Sequence, residues 1–102
     1  MAKMSGKIAG LLCAAALFLS GCVTIGRDFS TAPVTSIKQN VTTQREIFSY
    51  FGEPYKKGWE DGYETWSYLY NYWELGQLRE SKELTVVFNK DNTVRTYSFN
   101  SK

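Results

Sequence analysis

Residues 43–54 read Thr-Gln-Arg-Glu-Ile-Phe-Ser-Tyr-Phe-Gly-Glu-Pro and contain the signals for both ends of one helix. Thr43 and Glu46 have the spacing of a capping box, in which each side chain accepts a hydrogen bond from the other residue's backbone N–H. Gly52 suits the left-handed conformation that often ends a helix, and Pro54 prevents its continuation. Between them, apolar residues recur at helical spacing: Ile47, Phe48 and Phe51. The stretch therefore predicts a helix over residues 43–51 that buries one face.

The chain after this helix predicts three strands, over residues 63–73, 83–89 and 94–99. Residues 90–93 predict a tight turn between the last two strands, because Asn tolerates positive φ. Residues 74–82 are mostly polar and contain Gly76, so they predict a longer hairpin loop between the first two strands. A shorter helical turn is predicted over residues 35–39. The expected fold is an α+β domain in which two N-terminal helices pack on a three-stranded antiparallel meander.

The N-terminus has the pattern of a secretory signal peptide. Residues 1–7 carry Lys3 and Lys7, and residues 8–19 form an uncharged run of twelve residues. That run is shorter than the roughly 20 residues that a membrane-spanning helix needs. The run ends in Leu19-Ser20-Gly21-Cys22, which resembles the lipobox of bacterial lipoproteins at all four positions. The resemblance implies that the Cys22 thiol receives a diacylglyceryl group and that the chain is cut before Cys22.

Three segments follow from this interpretation. Residues 1–21 are predicted to be a lipoprotein signal peptide, residues 22–36 a lipidated N-terminus with a flexible tether, and residues 37–102 the folded domain. Val23, rather than Asp, follows the anchor, which by analogy with enterobacterial sorting favours the outer membrane. We therefore expect a chain that is lipid-anchored to the periplasmic face of the outer membrane of a Gram-negative bacterium.

The composition narrows the possible functions. Loss of the signal leaves ten basic and ten acidic side chains, so the charge does not indicate a nucleic-acid partner. The chain has no histidine, which excludes Ser-His-Asp catalysis and His-ligated zinc. We expect no enzyme activity, no cofactor and no metal.

The strand predicted over residues 63–73 carries aromatic residues on both faces. Alternation places four of them together: Trp66, Tyr68, Tyr70 and Tyr72. It places Tyr63, Leu69 and Trp73 on the opposite face. A sheet covered by helices on one face usually has polar residues on the other. Either loops or the tail cover this second face, or Tyr63, Leu69 and Trp73 bind a protein partner.

Two clusters of charged residues indicate a function less specifically than the aromatic strand does. Glu60, Asp61 and Glu64 surround Gly62 and could form a cation site or an acid–base pair, but a solvated loop explains them more simply. Lys56 and Lys57 could contact lipid phosphates, although such pairs are usually just solvated.

Five short motifs, in this order behind a lipobox, resemble the SmpA/OmlA family of outer-membrane lipoproteins. They are Asn40-Val41-Thr42, Phe51-Gly52-Glu53-Pro54, Trp66-Ser67-Tyr68, Leu84-Thr85-Val86-Val87-Phe88 and Asp91-Asn92-Thr93-Val94. Asn40 and Asn92 stand where the family more often has Gly, and both tolerate the left-handed conformation.

The resemblance implies a scaffold or protein-interaction module in envelope integrity, with components of the β-barrel assembly machine as partners. The alternative on the same fold is a periplasmic inhibitor or ligand-binding lipoprotein, because fold does not determine function.

Overall fold

The computed structural model describes residues 21–102, which contain one α-helix, one short 3₁₀ helix and five antiparallel strands. Their bounds in chain order are β1 Cys22–Gly26, the 3₁₀ helix Ala32–Ser36, α1 Gln44–Phe51, β2 Lys56–Glu60, β3 Tyr63–Glu74, β4 Gln77–Phe88 and β5 Val94–Ser101. The prediction of two helices on a three-stranded sheet is therefore wrong. Within the described residues, no helix is long and apolar enough to cross a membrane.

The long strand β3 organises the sheet. One edge of β3 pairs with β4, which in turn pairs with β5. The other edge is shared by two short strands, with β2 along residues 63–67 and β1 along residues 70–74. The meander β3-β4-β5 was predictable from alternation, whereas β1 and β2 are the two strands that the prediction lacks.

The segment for which the sequence predicts a flexible tether, residues 22–36, contains β1 and the 3₁₀ helix. In β1, residues 22–26 read Cys-Val-Thr-Ile-Gly, and this run is too short to be distinguished from a linker by periodicity. Its pairing partners lie 44 to 52 residues further along the chain, from Gly26 opposite Tyr70 to Cys22 opposite Glu74. Only the tertiary structure therefore reveals the strand.

Tight turns join β2 to β3 and β3 to β4. Leu75 and Gly76 have φ values of 51° and 75°, and Asp61 and Gly62 have values of 53° and 83°. Two left-handed residues in succession make the turn whose twist matches that of paired strands. The longer loop predicted over residues 74–82 is therefore wrong, because β4 begins at Gln77. This turn was not recognisable from the sequence, because Leu75 stands where Asn, Asp or Gly is usual.

The helix α1 confirms the prediction made from its two ends. The Thr43 hydroxyl accepts the Glu46 N–H at 3.2 Å, and the Glu46 carboxylate accepts the Thr43 N–H at 3.3 Å. At the other end, the Gly52 N–H donates to the Phe48 carbonyl, and Gly52 itself has a φ of 82°. The buried face is narrower than expected, because Ile47 and Phe51 are buried while Phe48 is exposed.

The hydrophobic core lies between α1 and the half of the sheet that contains β2. Its members are Phe29, Ile37, Ile47, Phe51, Trp66, Tyr68, Leu84, Val86, Phe88 and Val94. Phe29 enters this core from the segment after β1, with its ring centroid 6.2 Å from that of Phe51 and 5.8 Å from that of Tyr68. The other half of the β3–β4 hairpin, residues 70–82, extends past the core and pairs with β1. We call this part the distal hairpin.

Candidate functional site

One face of β3 belongs to the core. Trp66 and Tyr68 are 6% and 2% exposed beneath α1 and Phe29. The Trp66 indole N–H donates to the Glu64 carboxylate at 3.0 Å, and the Tyr68 hydroxyl donates to the Gly52 carbonyl at 2.8 Å. Burial raises the pKa of Tyr68, with the nearby Glu53 charge acting in the same direction. These two aromatic residues hold the helix on the sheet.

The opposite face of β3 carries Tyr63, Leu69 and Trp73, all of them half-buried. Helix α1 packs on the other side of the sheet through Ile47 and Phe51. Val34 of the 3₁₀ helix and Ile37 directly after it pack against the same core. We call the side with Tyr63, Leu69 and Trp73 the open face. The sequence left undecided which side the helices cover, and the structure shows that it is the side with Trp66 and Tyr68.

The three open-face residues share a side of the sheet but do not form a compact cluster. Tyr63 begins β3 and Trp73 lies next to its end, ten positions further along the strand. At a rise of about 3.3 Å per residue, they lie roughly 33 Å apart, with Leu69 between them. The open face therefore has two ends with different neighbours.

The Tyr63 end is concave and carries charges of both signs. The Arg95 guanidinium lies 4.2 Å from the centroid of the Tyr63 ring, and the Lys90 ammonium lies 5.7 Å from it. Both distances fit cation–π contacts. A groove of about 380 Å³ adjoins the ring and is lined by Glu60, Asp61, Tyr63, Thr85, Val87, Arg95, Thr96, Tyr97 and Ser98.

Sequence reasoning missed Arg95 because a β-bulge shifts the register of β4 against β5 between Val87 and Phe88. A prediction that assigns side chains alternately to the two faces of β5 cannot account for such a shift. The predicted turn over residues 90–93, directly before β5, is the only sequence signal that could have suggested this bulge.

The Trp73 end contains Cys22. In the sheet, Trp73 pairs with Val23 of β1 on one side and with Leu78 of β4 on the other. Cys22 is exposed and pairs with Glu74. The Tyr72 hydroxyl donates to the Cys22 sulfur at 3.1 Å, and this contact raises the pKa of Tyr72 to about 12. The predicted lipidation residue is thus the first residue of a paired strand.

The acidic and basic groups singled out from the sequence have mainly structural contacts. Glu64 accepts the Gln44 side-chain amide at 3.0 Å in addition to the Trp66 indole. Lys57 lies 3.2 Å from the Glu53 carboxylate and 5.1 Å from the centroid of the Trp66 ring. Over residues 21–102, no group of three or more metal-ligating side chains forms. The structure therefore does not join Glu60 and Asp61 to a further ligand.

Trp59 and Phe48 are among the exposed aromatic residues that were not identified as surface residues from the sequence. Trp59 on β2 is 75% exposed and Phe48 on α1 is 47% exposed. Phe48 lines a groove of about 390 Å³ between the start of α1 and the β4–β5 turn. Helical spacing had placed Phe48 inside, and β2 was not predicted, so neither position carried a usable signal.

A family model described as the outer membrane protein assembly factor BamE domain matches residues 29–98. A search of curated proteins found no match. The matched region contains α1, the strands β2 to β4 and most of β5, together with the five motifs that resemble the SmpA/OmlA family. The match confirms that resemblance. The chain therefore belongs to the BamE family, also called SmpA/OmlA, whose domain is that of an outer-membrane protein assembly factor.

Proposed function

We propose that this chain is a non-enzymatic scaffold of outer-membrane β-barrel assembly, anchored by lipid on Cys22 to the periplasmic leaflet of the outer membrane. The match of the assembly-factor domain over residues 29–98 carries the proposal. The histidine-free sequence and the open sheet face are consistent with a role in binding rather than in catalysis.

The anchor is supported by the Leu19-Ser20-Gly21-Cys22 motif and by the exposure of the Cys22 side chain. A thioether at this sulfur remains a weak hydrogen-bond acceptor, so the Tyr72 hydroxyl keeps its partner. Each buried CH₂ of an acyl chain contributes about 0.8 kcal/mol, and two or more chains give stable anchoring. Anchoring also confines the domain to the membrane surface and raises its effective concentration for a membrane-bound partner.

The open face is the proposed partner-binding surface: Tyr63 and Leu69 are its direct contacts with a protein partner, and Trp73 bounds it at the Cys22 end. Aromatic residues are enriched at the centres of protein interfaces. The groove beside Tyr63 adds Arg95, which can pair with a carboxylate of the partner. Leu69 lies between the groove and the Cys22 end, and we therefore assign it the central position.

The proposal is tested by purifying the tagged chain from crosslinked outer membranes and identifying the co-purified proteins by mass spectrometry. We expect components of the β-barrel assembly machine. Recovery of a soluble periplasmic protein alone would contradict the scaffold role and favour the alternative of an inhibitor or ligand-binding lipoprotein.

The partner-binding surface is tested by comparing Leu69→Ala with Phe48→Ala in the same crosslinking experiment. Both substitutions shorten a partly or fully exposed apolar side chain, but Phe48 lies on α1, away from the open face. We expect a several-fold loss of the crosslinked partner with Leu69→Ala and little change with Phe48→Ala. The reverse result would place the partner on the helix side of the domain.

The anchor is tested with Cys22→Ala. Without the thiol no thioether can form, so we expect the chain to leave the outer-membrane fraction and to remain as a soluble form or as an inner-membrane precursor. Mass spectrometry of the wild-type N-terminal peptide should show an acylated Cys22. An unchanged amount of Cys22→Ala protein in the outer membrane would contradict the anchor.

A further inference from the structure

The turn at the end of the distal hairpin lies beside the proposed anchor. Cys22 pairs with Glu74, the last residue of β3, and Leu75 follows directly. Neighbouring strands are about 4.8 Å apart, so a lipid on Cys22 would begin one strand spacing from this turn. Because β1 starts at Cys22 itself, no spacer separates the anchor from the sheet.

Leu75 is an unusual residue for this turn. Its backbone is left-handed, with φ at 51°, and its side chain is 64% exposed. Asn, Asp or Gly adopt this conformation at lower cost and would also suit solvent better. The other non-glycine residues with positive φ in the described chain are Asn40, Asp61 and Asn92. A strained and exposed leucine therefore indicates that the side chain has a use at this position.

More apolar surface continues from Leu75 along the same end of the sheet. Val23, Trp73 and Leu78 stand in one row across β1, β3 and β4. Val23 is 49% exposed, and Ile25, two residues further along β1, is 43% exposed. Trp73 completes this row with a ring of the type that favours the boundary between lipid and water.

We propose that this end of the sheet, defined by Leu75, Val23, Trp73 and Leu78, rests in the headgroup layer of the membrane that holds the lipid on Cys22. The inference extends the proposed function, because it requires the Cys22 anchor. The occupant of this apolar surface is then the lipid bilayer, which the anchor brings into contact with it.

Charged neighbours define how deeply this end is immersed. Glu74, Arg79 and Glu80 lie within a few residues of the turn. Charged side chains are costly in the hydrocarbon core but not among the headgroups. The turn therefore enters the headgroup layer without entering the acyl-chain region.

This contact also sets the orientation of the domain. The turn at Asp61 and Gly62 lies at the opposite end of β3, which spans twelve residues. At about 3.3 Å per residue, that turn lies roughly 40 Å from Leu75. The groove beside Tyr63 is then held away from the membrane, where it faces a periplasmic partner.

Two single-cysteine variants of the full chain, Leu75→Cys and Asp61→Cys, test the proposal. Both replace an exposed residue at a left-handed position in a two-residue turn, one at each end of β3. Lipidation consumes the Cys22 thiol, so the introduced thiol is the only reactive one within residues 22–102. Each purified lipoprotein is labelled with an environment-sensitive fluorophore and reconstituted into vesicles of phosphatidylethanolamine and phosphatidylglycerol.

A lipid that carries a nitroxide on its headgroup then reports contact by quenching. We expect quenching several-fold stronger at position 75 than at position 61, together with a blue shift of the emission at position 75 only. Leu78→Cys, one row away from the turn, should also be quenched more strongly than Asp61→Cys. A nitroxide placed deep in the acyl chains should quench position 75 less than the headgroup nitroxide does.

The result separates this proposal from the anchor on which it rests. If the labelled chains float with the vesicles but positions 75 and 61 are quenched equally, the orientation is wrong and the anchor stands. If the chains do not float and Cys22 carries no acyl mass, both the anchor and the orientation are wrong.

Discussion

At the scale of single residues, the backbone conformation at the turns can be compared with the residue type. Four non-glycine residues of the described chain have positive φ: Asn40, Asp61, Leu75 and Asn92. The sequence predicted this for Asn40 and Asn92, because short polar side chains enter the left-handed region at the lowest cost. It did not predict Leu75, whose conformation comes from the pairing of β3 with β4. Local chemistry was therefore sufficient where the residue type favours the conformation, and insufficient where the sheet imposes it.

Asn92→Ala should lower the free energy of unfolding by about 1 kcal/mol, the usual cost of a left-handed residue that has a Cβ and no local hydrogen bond. Asn92 has a φ of 67° between β4 and β5. Urea denaturation of the purified chain measures the change. Asn92→Gly is the matched control and should stay within about 0.5 kcal/mol of the wild type. Equal losses for both substitutions would show that the amide group matters rather than the backbone.

Leu75→Asn should have the opposite effect and stabilise the isolated protein by about 1 kcal/mol, because Asn-Gly is a favoured sequence for this turn. The thermal midpoint of the purified, detergent-solubilised chain measures it. A lower midpoint would mean that Leu75 packs into the fold, which would contradict the proposed membrane contact.

At the scale of secondary structure, an element could be predicted when its signals lie close together in the sequence, and could not be predicted when it forms by pairing with a distant segment. The capping box and the Gly52 stop of α1 are local signals, and α1 agrees with them. The residues of β2 read Lys-Lys-Gly-Trp-Glu, and such a composition does not indicate a strand by itself. β2 and β1 form because β3 is more than twice as long as either of them and presents an edge to both.

Gly26 is the point where the chain leaves β1 and turns onto the core. Its φ is 83°, and a Cβ at this position would collide with the carbonyl oxygen of Leu69. We expect Gly26→Ala to lower the free energy of unfolding by about 2 kcal/mol or more, because the clash with backbone adds to the strained φ. Urea denaturation provides the measurement.

Gly58→Ala in β2 is the matched control, because Gly58 has no positive φ and a Cβ there meets nothing within 4 Å. We expect a change within about 0.5 kcal/mol for this variant. Similar effects of the two substitutions would show that β1 is not tied to the core through Gly26.

The ion pair between Asp28 and Lys82 fastens the same segment to β4. The two side chains are 2.7 Å apart, and Lys82 lowers the pKa of Asp28, mainly through this hydrogen bond. A lowered pKa means that the contribution to stability is present above the ordinary carboxyl pKa of 3.8 and is lost as the pH falls through the value in the folded state. Asp28→Asn should therefore be slightly less stable than the wild type at neutral pH.

The same difference should disappear in acid. Thermal midpoints of the two proteins, measured from neutral pH to well below the ordinary carboxyl pKa, should converge as Asp28 becomes protonated. A difference that persists unchanged in acid would mean that the substitution acts through packing rather than through charge.

At the scale of the whole molecule, the role of Tyr63, Leu69 and Trp73 in binding stays a prediction; all three are half-buried residues of β3. The sequence could not show that α1 covers the other side, that the bulge brings Arg95 to Tyr63, or that β1 carries Cys22 to the end of the sheet. All three facts depend on contacts between segments far apart in the chain. They place Cys22, the proposed anchor residue, within the sheet rather than on a tether.

The proposed role in β-barrel assembly is tested most directly by the rate at which newly made β-barrel proteins reach their folded, heat-modifiable form in the outer membrane. This rate is measured by pulse-chase labelling in the bacterium that makes this chain, with and without its gene. We expect slower assembly in the deletion strain, restored by the wild-type chain and not by Cys22→Ala expressed at the same level. Identical assembly rates in all these strains would contradict the claim that the chain acts in β-barrel assembly.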